Sequence, residues 1–140
     1  MDIIEKIKKL DFPQGQYIIV GSGPMVVRAI KESNDIDIVV SVKLFEKCKQ
    51  DGWEQLPWTY PDKLWQIFLR RGYIELYLDV NCKECNPTLK ELLQRSDTIQ
   101  GCSFASLEDV IKFKRAYDKP KHLEDIQRIE EYLKHNKLKY

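Results

Sequence analysis

An excess of charge of one sign is what this 140-residue chain lacks: 23 lysines and arginines stand against 22 aspartates and glutamates. The resulting net charge of +1 excludes bulk electrostatic attraction to nucleic acid or membrane and leaves only local patches. Long apolar runs are missing too, since none approaches the ~18 residues of a membrane span. Met1 to Leu10 alternates charges with aliphatics, unlike the apolar centre of a signal peptide. A cytoplasmic protein with no membrane partner is therefore expected. There is no internal repeat, no low-complexity segment and no linker long enough to divide the chain, so residues 1–140 are expected to form one domain around one core.

Histidine is scarce as well. His122 and His135 fall on predicted helices, have no metal-ligand spacing, and are expected at the surface. The cysteines are Cys48, Cys82, Cys85 and Cys102. Cys82-Lys83-Glu84-Cys85 has the spacing of half a zinc site or a redox pair, but a structural zinc site needs about four ligands. No second closely spaced pair follows, and without an export signal these residues are expected to be reduced thiols. A zinc or redox protein built on Cys82 and Cys85 is the least supported reading.

What is present is a regular order of elements. Ile3, Ile4, Ile7 and Leu10 recur at helical spacing over residues 2–10. Tyr17 to Val20 is a short apolar strand, expected to be buried on both faces. Gly21-Ser22-Gly23-Pro24 turns the chain into a helix carrying Met25, Val26, Ala29 and Ile30 to about Ser33, with Pro24 suited to its first turn. A second strand runs from Asp35 to Ser41, followed by a helix from Val42 to Gln50. Trp53 to Asp62 reads as irregular. Leu64 to Arg70 and Tyr73 to Val80 read as two strands joined at Arg71-Gly72. In the later strand Ile74, Leu76, Leu78 and Val80 face one way, while Tyr73, Glu75, Tyr77 and Asp79 face the other. Thr88 caps a helix through about Ser96, and Thr98 to Phe104 reads as one short edge strand. Ser106 to Asp109 has the form of a capping box, opening a helix to Tyr117. After Asp118-Lys119-Pro120 a last helix runs to Lys137, with Ile126, Ile129 and Leu133 on its apolar face. The predicted class is α+β: a small mixed β-sheet with helices packed on it, and a helical C-terminal part over about residues 106–137.

Two features of this order carry chemistry. Asp35 and Asp37, two apart at the start of a strand, send both carboxylates from one face. Like charges so close repel, and a magnesium ion, which takes a few carboxylates, waters and phosphate oxygens, would relieve that repulsion. The same residues also suit a turn and a solvated strand position. Gly21-Ser22-Gly23 at a strand-to-helix junction presents N–H groups and a hydroxyl to an anion, but equally suits a helix cap. It is neither a P-loop nor a dinucleotide fingerprint, because it lacks the Gly-Lys-Ser/Thr ending and the third glycine. If the intervening helix returns the chain, the anion-binding turn faces the two carboxylates. Trp53, Trp58, Tyr60 and Trp65 form an aromatic cluster, suited to a small core under a loop or to base stacking.

Gly21-Ser22, a helix, then Asp35-Ile36-Asp37 resembles the signature of the polymerase-β-like nucleotidyltransferase superfamily, in particular its small stand-alone bacterial and archaeal members. In that family a third acid on a later strand sits between hydrophobic residues. Ile74-Glu75-Leu76 matches that pattern, with glutamate where aspartate is commoner, and Asp79 on the same face is the alternative. Phe104 to Lys114, then Lys119-Pro120-Lys121 and Leu123-Glu124-Asp125-Ile126, is similar to the ending of the small members. There the second block usually reads Lys-Asp where this chain has Lys121-His122. The resemblance covers roughly residues 17–133. It implies a nucleotidyltransferase-like fold and magnesium-dependent transfer of an NMP from an NTP to a hydroxyl on a small molecule, protein or RNA. Asp35, Asp37 and Glu75, or Asp79, would hold two magnesium ions, and Gly21 and Ser22 the triphosphate. Arg28, Lys114 and Lys121 are candidate phosphate contacts, each equally suited to a solvated helix face. Stand-alone domains of this kind also occur in toxin–antitoxin and phage-defence pairs. The rival expectation is a catalytically inactive nucleotide-binding or protein-interaction module on the same fold.

Overall fold

A computed structural model describes residues 2–57, 67–80, 86–117 and 119–137. Trp58, Tyr60, Trp65, Cys82 and Cys85, and the expected strand start at Leu64, lie outside the described residues.

The chain is an α+β protein in three layers. In order it forms α1 (Ile3–Leu10), β1 (Tyr17–Val20), α2 (Gly23–Val26), β2 (Ile36–Val40), α3 (Val42–Gln50), β3 (Glu54–Pro57), β4 (Ile67–Arg71) and β5 (Ile74–Tyr77). It continues with α4 (Leu89–Gln94), β6 (Asp97–Ile99), β7 (Cys102–Phe104), α5 (Leu107–Tyr117) and α6 (Pro120–Lys137). The sheet is seven-stranded and mixed, in the order β3-β4-β5-β2-β1-β7-β6. β1 and β2 are antiparallel neighbours at its centre, and β2 runs parallel to β5. Among the described residues no helix is long and apolar enough to cross a membrane.

Alternation along the strands divides the core. Tyr17 and Ile19 of β1, Ile36, Ile38 and Val40 of β2, and Leu76 of β5 pack on one face with Ile4 and Ile7 of α1 and Leu44 and Phe45 of α3. Ile18, Val20 and Val39 pack on the other face with Met25, with Leu92 of α4, with Val110 and Phe113 of α5 and with Ile129 of α6. β1 is buried along its whole length, as its wholly apolar sequence predicts. Burial of this kind stabilises by about 25 cal/mol per Å² of apolar surface removed from water.

Local hydrogen bonds set the helix ends. The Asp2 carboxylate accepts from the Glu5 N–H at 2.9 Å to open α1. Ser41 caps α3 by accepting from the Leu44 N–H, and Thr88 and Glu91 form a reciprocal capping box on α4. Ser106 accepts from the Asp109 N–H at 3.1 Å. The Asp109 carboxylate does not complete that box; it binds Arg95 at 3.1 Å.

Four expectations are corrected. The helix after the glycine turn is a single turn, Gly23–Val26, and Ala29 beyond it takes a left-handed backbone at φ 59°, which continues no right-handed helix. The segment after Trp53 is not irregular at its start, since Glu54–Pro57 pairs antiparallel with β4. The single strand expected over Thr98 to Phe104 is a hairpin turned at Gln100 and Gly101, both at positive φ. Its second strand, β7, lies inside the sheet between β1 and β6. Finally, β5 ends at Tyr77, so Val80 leaves the alternation and packs in the opposite cluster from Leu76. The thiols of Cys48 and Cys102 are free and buried.

Candidate active site

The antiparallel pairing of β1 with β2 places Val20 opposite Asp37. The turn that follows β1 therefore stands over the start of β2. Gly21 takes φ 65°, and a Cβ on it would lie 2.6 Å from Oδ2 of Asp37. That position requires glycine twice, for its backbone and for the close approach. Gly23 is equally tight, because a Cβ there would collide with Cγ2 of Ile19. Ser22 makes no capping hydrogen bond on α2, so a helix cap does not account for its hydroxyl.

A cavity of about 340 Å³ opens at this turn, within the size range of small-molecule sites. One wall carries Gly21, Ser22, Asp35, Asp37 and Asp79. The opposite wall, from α5 and α6, carries Lys114, Tyr117, Lys121, His122 and Asp125. Lys31, in the segment between α2 and β2, also lines it.

The acidic wall is strained electrostatically. Asp37 is pushed up to about 7, first by burial, then by the charges of Glu75 and Asp35, with Lys114 opposing. Glu75 is paired in register with Asp37 across the parallel β2–β5 ladder, so the two side chains share a face. Glu75 itself does not line the cavity, whereas Asp79 does. Tyr77, next on that face, has its phenol pushed up by burial, by the charges of Asp37 and Glu75, and by a hydrogen bond to Glu75. Among the described residues no three His, Cys, Asp or Glu side chains already form a metal cage.

The basic wall is organised by one carboxylate. Asp125 accepts hydrogen bonds from Lys114 Nζ and Lys31 Nζ, each at 3.0 Å. Asp125 is 5% exposed and Lys114 8%. Burial raises the Asp125 carboxyl, but the two lysines outweigh it and hold it below its ordinary value. Lys121 is exposed and lines the cavity mouth.

The structure thus brings Gly21, Ser22, Asp35, Asp37, Asp79, Lys114 and Lys121 to one cavity and sets Glu75 beside Asp37. It does not bring Arg28 there. That guanidinium donates to the Pro24 carbonyl at 2.8 Å and to Asp97 at 2.6 Å. Lys31, Asp125 and His122 were not anticipated. Asp125 had a signal in the sequence: it stands in the same helical stripe as Ile126, Ile129 and Leu133, where a lone carboxylate needs a buried partner.

The chain matches no family model and no curated protein.

Proposed function

We propose that this protein is a magnesium-dependent nucleotidyltransferase of the polymerase-β-like type, moving an NMP from an NTP to a hydroxyl acceptor. One observation carries the reading: a glycine turn, a same-face carboxylate pair and two lysines from the far helices line a single cavity. A carboxyl pushed up to about 7, first by burial and then by neighbouring carboxylates, is a position that a divalent cation would stabilise as the anion. Asp35 and Asp37, with Glu75 or Asp79, would hold the metal. When bound, two magnesium ions would supply activation of the acceptor hydroxyl and neutralisation of the leaving pyrophosphate.

The chain's own residues have separate tasks. The Gly21-Ser22 turn allows the phosphates to approach the backbone without a side chain in the way. Ser22 donates its hydroxyl to a phosphate oxygen. Lys114 and Lys121 balance the triphosphate charge from the opposite wall. The third acid accepts the acceptor's hydroxyl proton, Asp79 from the cavity wall or Glu75 from beside Asp37.

A second reading, a nucleotide-binding or protein-interaction module without catalysis, is favoured by the position of Glu75 outside the cavity lining. A panel of labelled NTPs incubated with magnesium and cell lysate separates the two. Labelled NMP appearing on an acceptor supports transfer, and binding without labelling supports the second reading. Magnesium-dependent NTP binding that survives in a folded Asp35→Ala/Asp37→Ala double variant would remove the metal role from both.

A further inference from the structure

His122 lies in the first turn of α6 and lines the same cavity as Asp37 and Ser22. Its Nδ1 is buried and has no hydrogen-bond partner among the described residues. Buried ring nitrogens are ordinarily paired, and this one is left unsatisfied by the folded chain. The ring itself is placed by Tyr117, whose ring centroid lies 5.9 Å away at 59°.

The charges that act most on His122 are three lysines and one carboxylate. α5 contributes Lys114, and α6 with its approach contributes Lys119, Lys121 and Asp125. Asp125 is engaged by Lys31 and Lys114. On the strand wall of the cavity stand Asp35, Asp37, Tyr77 and Asp79. Burial first, then Lys114 and Lys121, hold the imidazole below its ordinary pKa, with Asp125 opposing. It is therefore neutral at pH 7 while the cavity holds no anion.

We propose that His122 is a proton-coupled anion contact: its imidazole binds the polyphosphate chain that Lys114 and Lys121 attract, and takes up a proton from solvent when that chain enters. The choice of ligand rests on reading the cavity as a nucleotide site. A polyphosphate brings several negative charges against a ring otherwise crowded by lysines, which reverses the local preference from imidazole to imidazolium. By linkage, a ligand that raises the pKa of His122 binds more tightly as pH falls.

The chain has 2 histidines, so the imidazole C2–H signals of His122 and His135 are distinguished by one variant. Their titration is followed by proton NMR with and without saturating inorganic tripolyphosphate, free of metal. The His122 midpoint is expected to rise by about one pH unit or more on saturation, while that of His135, exposed near the other end of α6 and outside this cavity, stays put. Tripolyphosphate affinity measured from pH 6 to 8 is expected to weaken with rising pH more steeply in the parent than in His122→Asn. That variant carries the ligand's own protonation unchanged and so isolates the imidazole. Lys114→Ala should lower affinity at every pH. An unchanged His122 midpoint at saturation, equal pH slopes in parent and variant, or no saturable tripolyphosphate binding would each overturn the proposal. Magnesium-dependent NMP transfer with an unmoved His122 would overturn this inference alone. A proton-coupled His122 in a protein that labels no acceptor would overturn only the transferase reading.

Discussion

Gly21 and Asp37 are locked against one another: a Cβ on Gly21 would begin 2.6 Å from Oδ2 of Asp37. Gly21→Ala must therefore move the carboxylate or the turn, and must also hold alanine at φ 65°. The left-handed backbone alone costs about 1–2 kcal/mol for a residue with a Cβ. Urea denaturation is expected to show a loss of at least that size, with NTP binding lost from the folded fraction. A variant as stable as the parent would show that the turn does not press on Asp37.

Asp37 gives stability a particular pH dependence. Its carboxyl rises from 3.8 in the unfolded chain to about 7 in the fold. Between those values the folded state holds a proton that the unfolded state does not. The contribution of Asp37 is therefore complete below about pH 4 and is lost as pH rises through about 7. At about 1.4 kcal/mol for each pH unit, roughly 4 kcal/mol is the upper bound of that loss. Asp37→Asn should be more stable than the parent at pH 8 and should lose the dependence, as urea midpoints at pH 5 and pH 8 would reveal.

Glu75 and Asp79 can be separated through the same group. After burial, Glu75 is the largest influence raising Asp37. Glu75→Gln should therefore lower the Asp37 midpoint followed by carboxyl carbon NMR, and by more than Asp79→Asn does. The reverse pattern would mean that Asp79, not Glu75, is the electrostatic neighbour of Asp37.

Magnesium should compete with the proton on Asp37. Ligating carboxylates must be ionised, so affinity is expected to be flat above about pH 7 and to fall below it. One displaced proton corresponds to roughly tenfold per pH unit. Calorimetric titration at pH 5.5, 6.5 and 8 tests this, and equal affinities would exclude Asp37 from the metal site.

Asp125 should be the costliest single charge to remove. Asp125→Ala leaves Lys114 without its buried partner, and breaking a buried pair costs about 3–5 kcal/mol. Lys31→Ala removes only the more exposed of the two lysines, and should cost less than about 1 kcal/mol. Thermal denaturation of both variants decides whether the carboxylate or its outer partner holds the basic wall together.

The parts of the fold that the sequence announces are those governed by local pattern. The apolar block Tyr17–Val20 and the alternation through Ile36 and Ile38 specify the two central strands. Their antiparallel pairing was not legible, because the connection from Val20 to Ile36 is long enough for either direction, so the approach of Gly21 to Asp37 was expected only if the chain returned. β3 was not legible either, because Glu54-Gln55-Leu56-Pro57 is short and polar and is read as a strand only once β4 is beside it. The length of α2 misled for the opposite reason: Met25, Val26, Ala29 and Ile30 have helical spacing, but the chain must return to β2 and breaks the helix to do so. The basic wall was the least legible. Lys114 shares a stripe with Val110, Phe113 and Tyr117, and only the packing of α5 on α6 shows that its partner is Asp125.

The two walls of the cavity come from opposite ends of the chain, and this has a consequence in time. The acids of the strand wall all lie before residue 80, while Lys114 and Lys121 follow residue 110. A nascent chain emerging N-terminus first exposes its crowded acids while the lysines that balance them are still unmade. The cleft is thus among the last features the molecule acquires, and any message ending before Lys114 yields an acidic half-site left, among the described residues, with Lys31 alone of the cavity's lysines.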